Sequence, residues 1–363
     1  MSVTQDHGSD DVLIRREGRA GRITMNRPAA LNALTYAMVG RIREALTAWQ
    51  DDPTVGVVLL DGAGGRALCA GGDVRALYDS RGKGSSFARA FWSEEYRLNA
   101  LIGRYPKPFV AIQDGIVMGG GIGLSGHARH RIVTERSRLA MPETGIGLIP
   151  DVGGTWLLAH APGESGVYLG LTGEPMGAAD AIYARFADTF MPAAKLPQLV
   201  ERLVDRQGGS VVEAIAALCE DPGPPPLATR RADIDRVFGK PTVEAMLETL
   251  SSMPGEWAQK TATALAQKSP KSLELTLAAI RNARGLAALE AALNVEYRLT
   301  VRLFEDGEFP EGVRALIVDK DRKPSWSPAR LADVGPDLVA AYLAPLPPPE
   351  ELGLEPHTHS AAT

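Results

Sequence analysis

Apolar positions recur along the first 150 residues in two rhythms. VLIRRE (12–17) and RITMN (22–26) read as short strands, the second broken by Asn26-Arg27-Pro28. Met38, Val39, Ile42, Leu46 and Trp49 then repeat at helical spacing behind Thr35, which can cap the helix. VGVVLLDG (55–62) and PFVAIQDG (108–115) are continuous apolar runs, as buried parallel strands require. One helix is predicted from near Asp73 and a longer one from about Ser85 to Arg104, and RIVTE and RLAMP read as further strands. This strand–helix alternation predicts an α/β domain.

Past Pro150 the rhythm becomes helical. Helices are expected over 193–207, 211–220, 242–250, 256–268, 273–284 and 286–304. DPGPPP (221–226) cannot continue a helix and marks the expected boundary between a core over 11–220 and a helical region over 227–345. Residues 1–10 and the proline-rich 346–363 are expected to be disordered tails.

Composition narrows the class. The 363 residues carry a net charge of −5, without the basic excess that nucleic-acid binding requires. The 38 glycines and 26 prolines fall short of the about 25–30% share that marks low-complexity chains. No apolar run approaches the ~18 residues of a membrane span. The acidic start MSVTQDHGSDD resembles neither a secretory signal nor a transit peptide, so a cytoplasmic protein is expected. Cys69 and Cys219 form no CxxC pair, and a packed cysteine outweighs a nucleophile at Cys69. His127 and His130 lack a third ligand, and His7, His357 and His359 sit in the tails, so no metal is expected.

Three features carry candidate chemistry. Gly121-Ile122-Gly123-Leu124-Ser125-Gly126 matches GxGxxG with Glu143 about 20 residues on, but Glu143 follows Pro142 instead of ending a second strand, which disfavours a dinucleotide site. Neither Ser125 nor Ser165 is flanked as a nucleophile elbow. Ala70-Gly71-Gly72-Asp73 and Gly119-Gly120-Gly121 are turns at strand ends where backbone amides can approach a ligand, or plain tight turns. In PETGIGLIPDVGG, Glu143 and Asp151 each follow a proline. A helix starting near Val152 would make Asp151 its N-cap, and Glu143 could be solvated surface.

Together NRPAALNAL (26–34), ALCAGGDVRAL (67–77), KPFVAIQDGIVMGGGIGLS (107–125) and MPETGIGLIPDVGGT (141–155) resemble the enoyl-CoA hydratase/isomerase (crotonase) superfamily. Gly123 stands where hydratases of that superfamily carry a catalytic glutamate. Asp151, the WSEEYRLN stretch (92–99) and EGVRALIVDKDRKPSWSPARLADV (311–334) resemble instead its 3-hydroxyisobutyryl-CoA hydrolase branch. The resemblance implies a crotonase-like (ClpP/crotonase) spiral of β-β-α units with a C-terminal α-helical region. It also implies hydrolysis of a short 3-hydroxyacyl-CoA thioester, as in valine catabolism. Gly72 and Gly120 would supply the oxyanion-hole amides. Glu143 would activate water or attack the carbonyl itself, with Asp151 orienting, and Glu95 would meet the substrate's 3-hydroxyl. The acyl-CoA would be the partner, coenzyme A belonging to the substrate, with no separate cofactor and a homo-oligomer (trimer or hexamer) expected. The alternatives are a hydratase or isomerase using Glu143 alone, and a non-catalytic acyl-CoA-binding protein.

Overall fold

A computed structural model describes residues 10–205 and 210–356, and the expectations for residues 1–9 and 357–363 lie outside them. Two compact units emerge, each assembled from separated stretches of chain. Among the described residues the first comprises those up to Gly72, Leu101–Leu139 and Met176–Pro225; the second comprises Asp73–Ala100, Ala140–Pro175 and those from Pro226 onward. The chain passes from the first unit to the second at Pro225–Pro226, and the first unit is not continuous in sequence. Residues 73–100 and 140–175 belong with the helical region because they pack into it. Gly147 lies so close to the Glu308 carbonyl, and Gly312 to Ile146, that neither could carry a Cβ undisturbed.

In the first unit a six-stranded sheet runs β1-β2-β3-β5-β7-β9, with β1 Val12–Glu17, β2 Ala20–Met25, β3 Val57–Gly62, β5 Phe109–Gln113, β7 His130–Val133 and β9 Thr189–Phe190. The β1–β2 hairpin is antiparallel, and β2, β3, β5, β7 and β9 pair in parallel. Both faces of the parallel ladder are buried, which is why its strands read as unbroken apolar runs. One face (Val57, Leu59, Val110, Ile112, Ile132) packs on Leu199, Leu203, Val211 and Ile215. Each such side chain stabilises by about 1.5–3 kcal/mol, so a one-residue slip in register would be costly. Helix α1 (Tyr36–Gln50) is capped by the Thr35 side chain and buries Met38, Val39, Ile42 and Leu46, as its spacing predicts.

A smaller sheet, β4 (Ala67–Cys69), β6 (Ile116–Met118) and β8 (Arg138–Ala140), runs in that order, with β4 and β6 parallel. The two glycine turns leave the ends of β4 and β6.

The second unit is helical. Helix α2 (Val74–Ser80) is capped by Asp73, and α3 (Ser86–Gly103) follows. Further helices span Val243–Ser252, Glu256–Ala266, Pro270–Ala283 and Leu289–Glu305, close to the predicted ranges. Trp92, Phe304 and Phe309 form an aromatic cluster with centroids 5.9–6.3 Å apart. The C-terminal stretch departs from expectation. Residues 346–356 are packed rather than disordered, because Leu346, Leu352 and Leu354 are buried. Arg97 donates to the Leu352 carbonyl at 2.6 Å, and Asn294 bonds the backbone of Leu354 in both directions. No helix among the described residues is long and apolar enough to cross a membrane.

Candidate active site

The first unit supplies amides. Parallel pairing of β4 with β6 sets Cys69 opposite Val117, so the turns after them emerge as neighbours. The approach is close: a Cβ at Gly121 would lie 2.2 Å from the Cys69 carbonyl oxygen, and one at Gly71 3.6 Å from that of Met118. Gly119 (φ +46, ψ −119) and Gly71 (φ +118) hold backbone conformations that side chains strongly disfavour. Leu34 bridges to Gly72 and donates to the Gly71 carbonyl at 2.9 Å, fixing one turn. Helix α4 (Gly120–Ser125) begins at Gly120, whose amide is among the donors a helix start leaves without an intrahelical partner. The GxGxxG match thus falls on one short helix and its C-cap, instead of bridging a strand and a helix. Cys69 is buried, its thiol 3.5 Å from the Gly71 carbonyl, as a packed cysteine should be.

The second unit supplies acids. Glu143 begins a single 3-10 turn (Glu143–Ile146) and is only 5% exposed, so it is not solvated surface. Asp151 is equally buried and caps nothing: helix α5 (Gly154–Ala159) starts later, with Gly153 as its N-cap. Val152 in between sits at φ +54, which displaces the helix start from the predicted position. With its side chain freed from capping, Asp151 accepts a 2.6 Å hydrogen bond from the Tyr96 hydroxyl. Glu95, the preceding residue on α3, is 2% exposed. Glu95 Oε1 and Glu143 Oε2 have no hydrogen-bond partner among the described residues, as expected of groups that meet substrate or water.

The electrostatics follow from burial. Glu143 and Glu95 are held well above the usual carboxylate range, first by burial and then by the charge of Asp151. Lys268, itself pushed down by burial, partly offsets the rise at Glu143. Asp151 is pushed up to about 6 by burial, opposed by the Tyr96 hydrogen bond. Burial therefore raises the proton affinity of all three acids, and the charge of Asp151 adds to the rise at Glu95 and Glu143.

The structure buries Glu95, Glu143 and Asp151, which the sequence singles out, and adds Tyr96 and Glu296, which it does not. Glu296 is fully buried on the Leu289–Glu305 helix and accepts from the Gly153 amide at 2.7 Å and the Thr155 amide at 2.9 Å. It also accepts from the Thr155 hydroxyl. Its signal was legible: Leu293, Glu296 and Thr300 share the apolar face of that helix, where an acid is out of place. Among the described residues no group of His, Cys, Asp and Glu side chains is arranged to hold a metal ion.

A buried acid raised in the fold has a testable sign. Asp151 rises from 3.8 to about 6, so the folded state holds its proton more tightly than the unfolded chain. Its contribution to stability is complete below the unfolded value and vanishes as pH climbs through the folded one. Asp151→Asn mimics the protonated form, so the melting temperature of the native protein relative to this variant should fall between about pH 4 and 6 and then level off. A difference independent of pH would show that Asp151 does not titrate in this window.

Each unit by itself holds a feature of acyl chemistry: glycine-turn amides in the first, which can donate to a carbonyl oxygen, and a cluster of buried carboxyls in the second, which can manage water. The chain belongs to the enoyl-CoA hydratase/isomerase family, whose model matches residues 20–343. It is 40% identical over 337 residues to the mitochondrial 3-hydroxyisobutyryl-CoA hydrolase of Danio rerio, covering 91% of this chain and 88% of that protein. It is 38% identical to the human enzyme of the same name, covering 90% and 86%. Among solved structures, a carnitinyl-CoA dehydratase from Mycobacterium thermoresistibile aligns with TM-score 0.90 at 45% identity, over 94% of this chain and 98% of that one. An enoyl-CoA hydratase from Rhodobacter sphaeroides 2.4.1 aligns with TM-score 0.89 at 45% identity, over 95% and 100%. The crotonase-like fold implied by the motifs is therefore borne out. The expectation of a cytoplasmic protein is not, since these hydrolase relatives are named as mitochondrial.

Proposed function

We propose that this protein hydrolyses the thioester of a short 3-hydroxyacyl-CoA, with 3-hydroxyisobutyryl-CoA as substrate, releasing the hydroxy acid and free CoA. The observation that carries this reading is the buried Glu143–Asp151 pair, together with Gly123 where a hydratase would need a second glutamate. Curated relatives at 37–40% identity, all named for this hydrolysis, support it.

In this mechanism the Gly72 and Gly120 amides receive the thioester oxygen as it becomes negative, and a well-aimed donor of this kind is worth about 10²–10³-fold in rate. Burial and the charge of Asp151 raise the proton affinity of Glu143, which suits a group that must take a proton from water. As a carboxylate, Glu143 either takes a proton from water, whose hydroxide adds to the carbonyl carbon, or attacks that carbon itself to form an anhydride with the acyl group. Water hydrolyses the anhydride to the hydroxy acid and the restored carboxylate after the thiolate has left. In either route the carbon–sulfur bond breaks, and the thiolate, whose conjugate acid has a pKa near ~8.5, takes up a proton to leave as free thiol. Glu95 accepts or donates a hydrogen bond at the substrate's 3-hydroxyl, favouring hydroxyacyl over plain acyl groups. No resident cofactor is required, because coenzyme A arrives as part of the substrate. The same reading includes a homotrimer or hexamer, checked by the mass in solution.

A second reading, hydration of an enoyl-CoA by Glu143 alone, takes support from the names of the two solved structures. An acyl-CoA panel read with a thiol reagent separates the two. Hydrolysis predicts thiol release fastest from 3-hydroxyisobutyryl-CoA, and Glu95→Leu should narrow its lead over isobutyryl-CoA by about 10-fold or more. Hydration of crotonyl-CoA with no thiol release anywhere on the panel would overturn the hydrolase reading.

A further inference from the structure

The segment that carries Asp151 is under tension. Val152, a β-branched residue, sits at φ +54 and Gly153 at φ +79, immediately after Asp151. Left-handed backbone at a β-branched residue persists only where the surroundings over-determine it. Two of the restraints lie within the turn: the Gly154 amide bonds the Asp151 carbonyl at 2.6 Å, and Gly154 lies close against the side chains of Met141 and Pro150. The third comes from a helix more than 140 positions away. Both oxygens of Glu296 are engaged, one by the Gly153 amide and the other by the Thr155 amide and hydroxyl. The carboxyl thereby spans the start of α5, just beyond the strained residue.

We propose that Glu296 is a positioning residue for the hydrolysis: by gripping the backbone on the far side of Val152 it sets where the Asp151 carboxylate points. Glu296 touches neither substrate nor water in this scheme. The Asp151 carboxyl is directed by the Tyr96 hydroxyl and by its own backbone amide, and the turn must deliver its Cα to within reach of that hydroxyl. A glutamine at 296 keeps the volume but turns one acceptor into a donor, which faces either the Gly153 amide or the Thr155 amide. The turn must then shift, and displacement of a reacting group by about 1 Å can cost on the order of 10²-fold in rate.

This inference rests on Asp151 serving the thioester hydrolysis proposed above. The experiment measures kcat and KM for 3-hydroxyisobutyryl-CoA, with thermal melts, in Glu296→Gln, Glu296→Asp, Thr155→Val and Asp151→Asn. Expected is a fall in kcat of about 10–100-fold for Glu296→Gln with KM changed less than about 3-fold, and partial recovery in Glu296→Asp. Thr155→Val, which removes one of three donors, should lower kcat about 3–10-fold, and it decides the matter if Glu296→Gln does not fold. Wild-type kcat in folded Glu296→Gln, or in Thr155→Val when the former fails to fold, overturns the positioning role even if melting temperatures drop. If Asp151→Asn itself retains full kcat, the fault lies with the hydrolytic reading rather than with Glu296.

Discussion

Glu143→Gln lowers the turnover of 3-hydroxyisobutyryl-CoA by about 10²–10⁴-fold, the range typical of a lost acid–base group, while the protein stays folded and still binds the acyl-CoA. Glutamine has the size of the protonated acid, and burial with the charge of Asp151 already favours the proton on Glu143. The change removes both the cost of burying the Glu143 charge and its attraction to Lys268, so the melting temperature should change little at neutral pH. The measurement pairs thiol-release kinetics with calorimetric binding of a non-hydrolysable acyl-CoA thioether. Turnover within a few-fold of the native protein would remove Glu143 from the mechanism, whereas loss of both binding and folding would show it to be a packing residue.

The second large effect is expected at Gly121→Ala. Its Cβ would stand 2.2 Å from the Cys69 carbonyl oxygen, a backbone atom that cannot swing aside. Either α4 retreats from β4 or the β4–β6 ladder opens, and overpacking of this kind costs about 1–3 kcal/mol. Either movement re-aims the Gly72 and Gly120 amides, so hydrolysis should fall by about 10²-fold or more in the protein that remains folded. Gly40→Ala is the control. That glycine lies inside α1 with open space around it, and alanine there should stabilise by about 0.5–1 kcal/mol without touching the rate. Unimpaired hydrolysis in Gly121→Ala would mean that the turn amides are not the oxyanion donors.

Relatives at similar identity carry different names, hydrolase on one side and dehydratase or hydratase on the other. Overall fold cannot distinguish them, because the same ladder and glycine turns serve either chemistry. In the proposed function the distinction rests on a few positions. Gly123 carries no side chain to hold a proton, and Asp151 adds a second acid beside Glu143.

Much of this was legible in the amino-acid sequence because the governing physics is local. The apolar runs of β3 and β5 announce buried parallel strands, and the spacing in α1 announces its inward face. Double and triple glycines at strand ends mark turns no other residue can make. The family motifs single out Glu95, Glu143, Asp151, Gly72 and Gly120 in turn. The sequence did not reveal what each acid experiences. Capping by Asp151 was a sound local reading, and it failed because Val152 takes a left-handed conformation that delays the helix to Gly154. Likewise the prolines of 346–363 suggested disorder, but Arg97, Asn294 and Arg298 hold residues 346–356 against helices far away in the chain. Protonation and aim are through-space properties. The Tyr96 hydroxyl reaches Asp151 across 55 positions, and Glu296 reaches Gly153 across 143. Local pattern therefore determined which residue types stand ready, whereas burial and these distant hydrogen bonds, which exist only once the chain has folded, decided which acids lie buried together and how strongly each holds its proton.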